Sequence, residues 1–303
     1  MRRALAALLA IGALAAPSFA AGARIEPPPD ARWQYQLQAI AKGGFETGRV
    51  DVGICGRPRG GGQCLHPRVY DFDLYRDGRG GAIDRHPNRR GVRAVHASGG
   101  YAICYVDAGS IESYRPDFDR FVRWHRRHGR SLLGNPFSRR FPDERWANVG
   151  GEVQRRFLLR MMDRRTAKCA RTGFDAVEYD VVAAEESSPK VTGWRVSYRD
   201  QLVYNRGLAR VAHRHGLAVG LKNDLSQVKD LLGDFDFAIN EECFTYDECG
   251  KLKPFVRAGK PVFHVEYTNS RREFCATTEG LGFNSIRKGP NFGLRPRPYR
   301  PCS

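Results

Sequence analysis

The chain has 303 residues, 41 % of them hydrophobic, with 50 Lys and Arg against 33 Asp and Glu and a formal net charge of +17. So basic a protein is expected to meet something anionic, and an anionic cell surface or acidic glycan fits better than nucleic acid. No zinc-finger, RNP or Lys-rich tail pattern occurs, so nucleic acid is excluded as the partner.

In chain order, Met1-Arg2-Arg3, an apolar run from Ala4 to Ala16 and Pro17-Ser18-Phe19-Ala20 read as an export signal over residues 1–20. The run is too short to span a bilayer, so the protein is expected to be secreted or periplasmic, with no transmembrane span. Eight cysteines in a chain bound for an oxidising compartment suggest disulfides. Cys55 with Cys64 and Cys243 with Cys249 are the natural loop-closing pairs, whereas Cys104, in an apolar run, fits a buried free thiol. A short Pro- and Ala-rich linker covers residues 21–32.

From residue 33 to about 275, short apolar runs alternate with longer amphipathic ones, the βα alternation of a parallel sheet covered by helices. Eight strands are predicted: Trp33–Leu37, Val69–Asp73, Tyr101–Val106, Arg145–Val149, Asp175–Asp180, Leu217–Lys222, Phe235–Asn240 and Pro261–Glu266. A helix is predicted over Asp200–His215, with Asp200 capping its start and Gly216 following its end. The fold class is therefore α/β, a single (β/α)8 TIM-type barrel over residues 33–275. Gly60, Gly61 and Gly62 read as a flexible loop, not a phosphate cradle. Residues 276–303 read as a basic, Pro-rich and irregular tail strapped down by Cys302.

In such a barrel the residues closing each strand form the active site. Here those ends are rich in carboxylates: Asp71, Asp73, Asp107, Glu112, Glu178, Asp180, Asp224, Glu241, Glu242 and Glu266, joined by Tyr105 and Lys222. So many like charges on one rim are costly unless protonated, paired or used on a ligand. Glycoside hydrolysis uses such a set, one carboxylic acid protonating the departing oxygen while a second carboxylate attacks or activates water. No metal or other cofactor is expected. Ser-His-Asp chemistry is disfavoured because no G-x-S-x-G occurs and His125, His128, His213 and His215 lie in basic helices.

Several ordered runs carry a resemblance. Trp33-Gln34-Tyr35-Gln36-Leu37, Tyr70-Asp71-Phe72-Asp73-Leu74, Cys104-Tyr105-Val106-Asp107-Ala108-Gly109-Ser110, Gly173-Phe174-Asp175-Ala176-Val177-Glu178-Tyr179-Asp180, Gly220-Leu221-Lys222-Asn223-Asp224 and Asn240-Glu241-Glu242-Cys243 are similar to those of glycoside hydrolase family 114. That family comprises endo-α-1,4-polygalactosaminidases and related barrels. The resemblance implies a retaining endo-hydrolase of α-1,4-linked galactosamine or N-acetylgalactosamine polymers, with Asp180 as nucleophile and Glu241 as acid/base. It also implies that Asp71, Asp73, Lys222 and Asn240 hold sugar, and Tyr105 and Glu178, from the same strand ends, are expected to bind substrate with them. Two segments depart from the family pattern: Val181 stands where an Asn usually follows the fifth-strand Asp, and Asn148 replaces a charge in Trp146-Ala147-Asn148-Val149. The competing reading is a barrel that binds envelope or matrix glycans without cutting them.

Overall fold

The structure is a computed structural model that describes residues 24–37, 50–76 and 86–303. The expected export signal lies outside the described residues. Among the described residues twelve strands occur in chain order: β1 Trp33–Gln36, β2 Val69–Asp73, β3 Tyr101–Asp107, β4 Ser110–Glu112, β5 Leu133–Pro136, β6 Glu144–Ala147, β7 Ala176–Asp180, β8 Ala218–Lys222, β9 Phe237–Glu241, β10 Val262–Glu266, β11 Asn284–Arg287 and β12 Arg300–Pro301. The helices are α1 Arg89–Ala97, α2 Phe118–Arg127, α3 Glu152–Thr172, α4 Pro189–Thr192, α5 Tyr198–Arg214, α6 Val228–Leu231, α7 Lys253–Arg257 and α8 Arg271–Gly280.

One curled sheet runs β1-β2-β3-β7-β8-β9-β10-β11-β12, parallel throughout except for the antiparallel β12. The architecture is thus mixed α/β and TIM-like. Strand residues alternate between two apolar layers, as the two-residue period of a strand requires. Trp33, Val69, Ile103, Phe237, Ile239, Phe263 and Ile286 fill the concave interior. Tyr70, Phe72, Val106, Val177, Leu221 and Ala238 face outward onto α3 and α5, against Phe157, Met161 and Leu208.

Seven of the eight expected strands lie in this sheet. The exception is Arg145–Val149: β6 instead forms a separate antiparallel sheet, β4-β6-β5, inserted between β3 and α3. Trp146, Ala147 and Val149 supply the apolar run that suggests a barrel strand, yet they pack this hairpin onto the outer core. The eighth parallel strand is β11, paired with β10 inside the stretch expected to be an irregular tail. Asn284-Ser285-Ile286-Arg287 carries a single apolar side chain, so nothing local announces it. Between β1 and β11 no backbone ladder occurs among the described residues, but Lys288 Nζ donates to Gln34 Oε1 at 2.9 Å and Gln34 Nε2 to Pro296 O at 3.0 Å.

Helix α5 begins two residues earlier than expected, because Ser197, and not Asp200, is the N-cap. Asp200 completes its capping box, its carboxylate accepting from the Ser197 amide. Gly216, at φ +72°, follows the helix as predicted.

Cys55–Cys64 and Cys243–Cys249 pair as expected, with Cα atoms 5.4 and 4.7 Å apart, and Cys275–Cys302 anchors the C-terminus. Cys104 is not a free thiol: it bonds Cys169 on α3, 65 residues away in sequence. A loop that long restricts the unfolded chain most, so replacing both Cys104 and Cys169 by Ala is expected to cost about 4 kcal/mol. Urea denaturation measures it; a change under about 1 kcal/mol contradicts the chain-entropy account.

Candidate active site

The inward positions at the strand ends converge on one amine. Lys222, closing β8, places Nζ 2.8 Å from Asp180 Oδ1 and 3.0 Å from Glu241 Oε2, with Glu178 Oε1 at 3.5 Å. Tyr105 OH, from β3, donates to Asp180 Oδ2 at 2.7 Å, and the Val181 amide donates to Oδ1 at 2.8 Å. Tyr267, just past β10, donates to Glu241 Oε1, and Tyr35, on β1, donates to Glu178 Oε1 at 3.0 Å. The Asp180 and Glu241 side chains remain 21 % and 18 % exposed, whereas Lys222 is 2 % and Glu178 0 % exposed. Only the first two are therefore open to a ligand at the mouth.

Burial works against the Lys222 ammonium, but Asp180, Glu241 and Glu178 outweigh it and hold the amine well above its ordinary range. Burial likewise pushes the Asp180 carboxyl up, yet Lys222 first, then Tyr105 and the Val181 amide, bring it below the usual carboxylate value. Asp180 is thus ionised at neutral pH, as a carboxylate nucleophile must be. Burial raises the Glu178 carboxyl to about 7 despite the opposing pull of Lys222.

Of the expected sugar-holding residues, Tyr105, Glu178, Lys222 and Asp71 join this cluster, with Asp71 fully buried beside Glu178. Asp73 is engaged elsewhere: Arg115 forks onto both its oxygens at 2.7 and 2.6 Å and also binds Glu112. Asn240 points to the outer face, where it donates to Asn223 Oδ1 at 3.2 Å and accepts from the Cys243 amide at 3.1 Å. Tyr35 and Tyr267 were missed by sequence reasoning, although strand period marks both: Tyr35 shares the inward phase of Trp33, and Tyr267 that of Phe263 and Val265.

Three neighbouring strands turn sharply after their site residue through left-handed backbone: Val181 at φ +60°, Asn223 and Asp224 at +51° and +45°, and Glu242 at +62°. Such strain concentrates at functional sites. For a β-branched residue it is a genuine outlier. It persists at Val181 because Ala108 N and Gly109 N both donate to Asp180 O at 3.1 Å and Asn205 Nδ2 holds Val182 O at 2.9 Å. A Cβ on Gly109 would sit 1.6 Å from Val181 O, so only glycine permits this approach. Asn tolerates the left-handed region, so Val181→Asn is expected to stabilise the fold by about 1 kcal/mol. Denaturant unfolding reads the change, and a loss of stability would contradict the strain account.

Two further acid groups flank the site. The carboxylates of Asp107, Glu112 and Glu144, and of Glu185, Glu186 and Asp224, approach within 4.8 Å of one another, close enough to hold a cation. In the first, Ser110 and Arg115 already occupy oxygens; in the second, Ser226 and Asn205 do. Burial, with neighbouring carboxylates, pushes Asp107 up to about 8 and Glu144 and Asp224 up to about 9.

These shifts carry a sign for stability. An acid whose folded pKa is raised binds more protons folded than unfolded, so its contribution is largest below the unfolded value and is lost as pH rises towards the folded one. Asp180, Asp117 and Asp236 are lowered and act oppositely, losing their contribution only in strong acid. Lys288, pushed down to about 7 by burial, adds stability as pH rises above 7 and offsets one raised acid there. The melting temperature is therefore expected to fall by several degrees between pH 5 and 7; a rise over that interval in calorimetry would contradict these shifts.

A search of curated proteins finds no match to this chain. Among solved structures it is similar to Aspergillus fumigatus Ega3 in complex with galactosamine, at 23 % identity and a TM-score of 0.65, covering 90 % of this chain and 96 % of that one. It is also similar to the glycoside hydrolase domain of PelA from Pseudomonas aeruginosa, at 14 % identity and a TM-score of 0.51, covering 75 % and 88 %. The model of glycoside-hydrolase family GH114 matches residues 14–294, including β11 and the strand ends that carry Asp180, Lys222 and Glu241. This chain belongs to glycoside-hydrolase family GH114.

Proposed function

We propose that this protein is an exported, retaining endo-glycosidase built on a (β/α)8-type barrel, cleaving α-1,4-linked galactosamine or N-acetylgalactosamine polymers with Asp180 as nucleophile and Glu241 as acid/base. The observation that carries this reading is the single ammonium shared by the two exposed carboxylates. Its contacts at 2.8 and 3.0 Å limit the gap between those two oxygens to about 6 Å, below the ~6.5–9.5 Å that inversion uses to admit a water.

Asp180 attacks the anomeric carbon while Glu241 protonates the departing glycosidic oxygen. Water, deprotonated by Glu241, then hydrolyses the glycosyl ester on Asp180 and regenerates both groups. The galactosamine bound in the Ega3 structure supports the sugar class. Four disulfides support an oxidising destination, and no described helix is long and apolar enough to cross a membrane. Exposed Arg120, Arg123, Arg126, Arg127 and Arg130, on and just after α2, support contact with an anionic surface. The departure at Val181 leaves Asp180 with all its partners, which favours the enzyme over the non-cutting glycan binder.

The test is incubation with galactosamine polymers of defined acetylation, following reducing-end release and the first anomer formed by proton NMR. Retained anomeric configuration is expected; inversion would reject Asp180 as nucleophile, and no release from any polymer would favour the binder.

A further inference from the structure

Beneath the two exposed carboxylates lies an acid pair that the hydrolytic steps do not use. Asp71 on β2 and Glu178 on β7 are both 0 % exposed, and their carboxyl groups lie within hydrogen-bonding reach of each other. Both oxygens of Asp71 and Oε2 of Glu178 are buried and receive no hydrogen bond from any donor. Two ionised carboxylates touching out of water with no donor between them repel strongly, so one must carry a proton. The partners of the other oxygen decide which. Glu178 Oε1 accepts from Tyr35 OH and faces Lys222, both of which favour its ionised form, whereas Asp71 has no donor or cation in contact.

We propose that Asp71 and Glu178 act as a carboxylic acid–carboxylate pair, Asp71 keeping one proton and donating it to Glu178 Oε2, and that this pair positions Lys222 between Asp180 and Glu241. Tyr35 from β1, Asp180 from β7, Lys222 from β8 and Glu241 from β9 are the charged or titratable groups facing it. Burial, then the Glu178 charge, push the Asp71 carboxyl well above its usual range, in keeping with a retained proton. Glu178 supplies the third carboxylate under the ammonium, which lets Lys222 stay charged while fully buried and meet both carboxylates at the mouth. Asp71 and Glu178 are positioning residues in this account and touch no substrate.

The test is infrared spectroscopy of the intact protein at pH 8, where exposed carboxyls are ionised. The difference between wild type and Asp71→Asn is expected to show the loss of one protonated-acid carbonyl signal, with Asp107, Glu144 and Asp224 cancelling; no loss overturns the proposal. Should Asp71→Asn fail to fold, Glu178→Gln serves. Its amide carbonyl then accepts the retained Asp71 proton, so the acid signal should persist but shift, and an unshifted signal rejects the assignment. The kinetic arm rests on the hydrolase reading. Asp71→Asn, which keeps a donor of the same shape, is expected to retain at least about tenfold more kcat than Asp71→Leu, and equal losses would overturn the positioning role. The infrared arm needs no activity, so it stands or falls independently of that reading.

Discussion

Asp180→Asn and Glu241→Gln are each expected to lower kcat on galactosamine polymer by about 10³-fold or more while leaving the fold intact. Both substitutions keep the shape of the side chain, and both residues sit at the exposed mouth, so the loss falls on groups needed in the transition state. The two should differ in substrate dependence. Asp180 forms the covalent bond whatever the leaving group, whereas Glu241 matters less when the departing oxygen is already a weak base. An activated aryl glycoside should therefore recover much of the first step in Glu241→Gln and none in Asp180→Asn. Steady-state kinetics on both substrates checks this. Recovery in Asp180→Asn, or near-normal kcat in either variant, would remove these residues from their assigned roles.

Lys222→Met is expected to be the most damaging single change to both stability and activity. The ammonium is 2 % exposed and meets Asp180, Glu241 and Glu178, so removing it leaves buried negative charge uncompensated. Breaking a buried pair in this way costs about 3–5 kcal/mol, more than the methionine stem recovers by packing. Asp180 and Glu178, which Lys222 holds down, would then ionise less readily in the folded state, and a raised acid loses its stabilising contribution as pH rises. The deficit against wild type should therefore be larger at pH 8 than at pH 5. A deficit independent of pH, read from denaturation at both values, would show that Lys222 acts through packing alone. Activity should be absent at neutral pH, because Asp180 loses its principal counter-charge and with it the lowered pKa of a ready nucleophile.

How far the sequence alone reached follows from how locally each feature is encoded. Val69–Asp73, Ala176–Asp180, Ala218–Lys222 and Phe237–Glu241 are short apolar runs with polar ends, and the two-residue period of a strand puts Glu178, Asp180, Lys222 and Glu241 on one face without further information. Cys55–Cys64 and Cys243–Cys249 close loops short enough to be read from spacing. Tertiary structure alone decided the features whose partners lie far along the chain. Arg145–Val149 left the main sheet because β4 and β5 pair with β6, and Asn284–Arg287 entered it because β10 offers an open edge to a segment with little strand character of its own. Cys104 found Cys169 because α3 packs its buried face over β3. At the site, residue types and strand phase indicated which carboxylates gather, but not how they are shared. That Arg115 takes Asp73, that Lys222 serves both Asp180 and Glu241, and that Asp71 lies against Glu178 out of water are set by distances between side chains from different strands. Those distances govern charge and protonation, because Coulombic and desolvation energies depend on separation in space and not on position in the sequence.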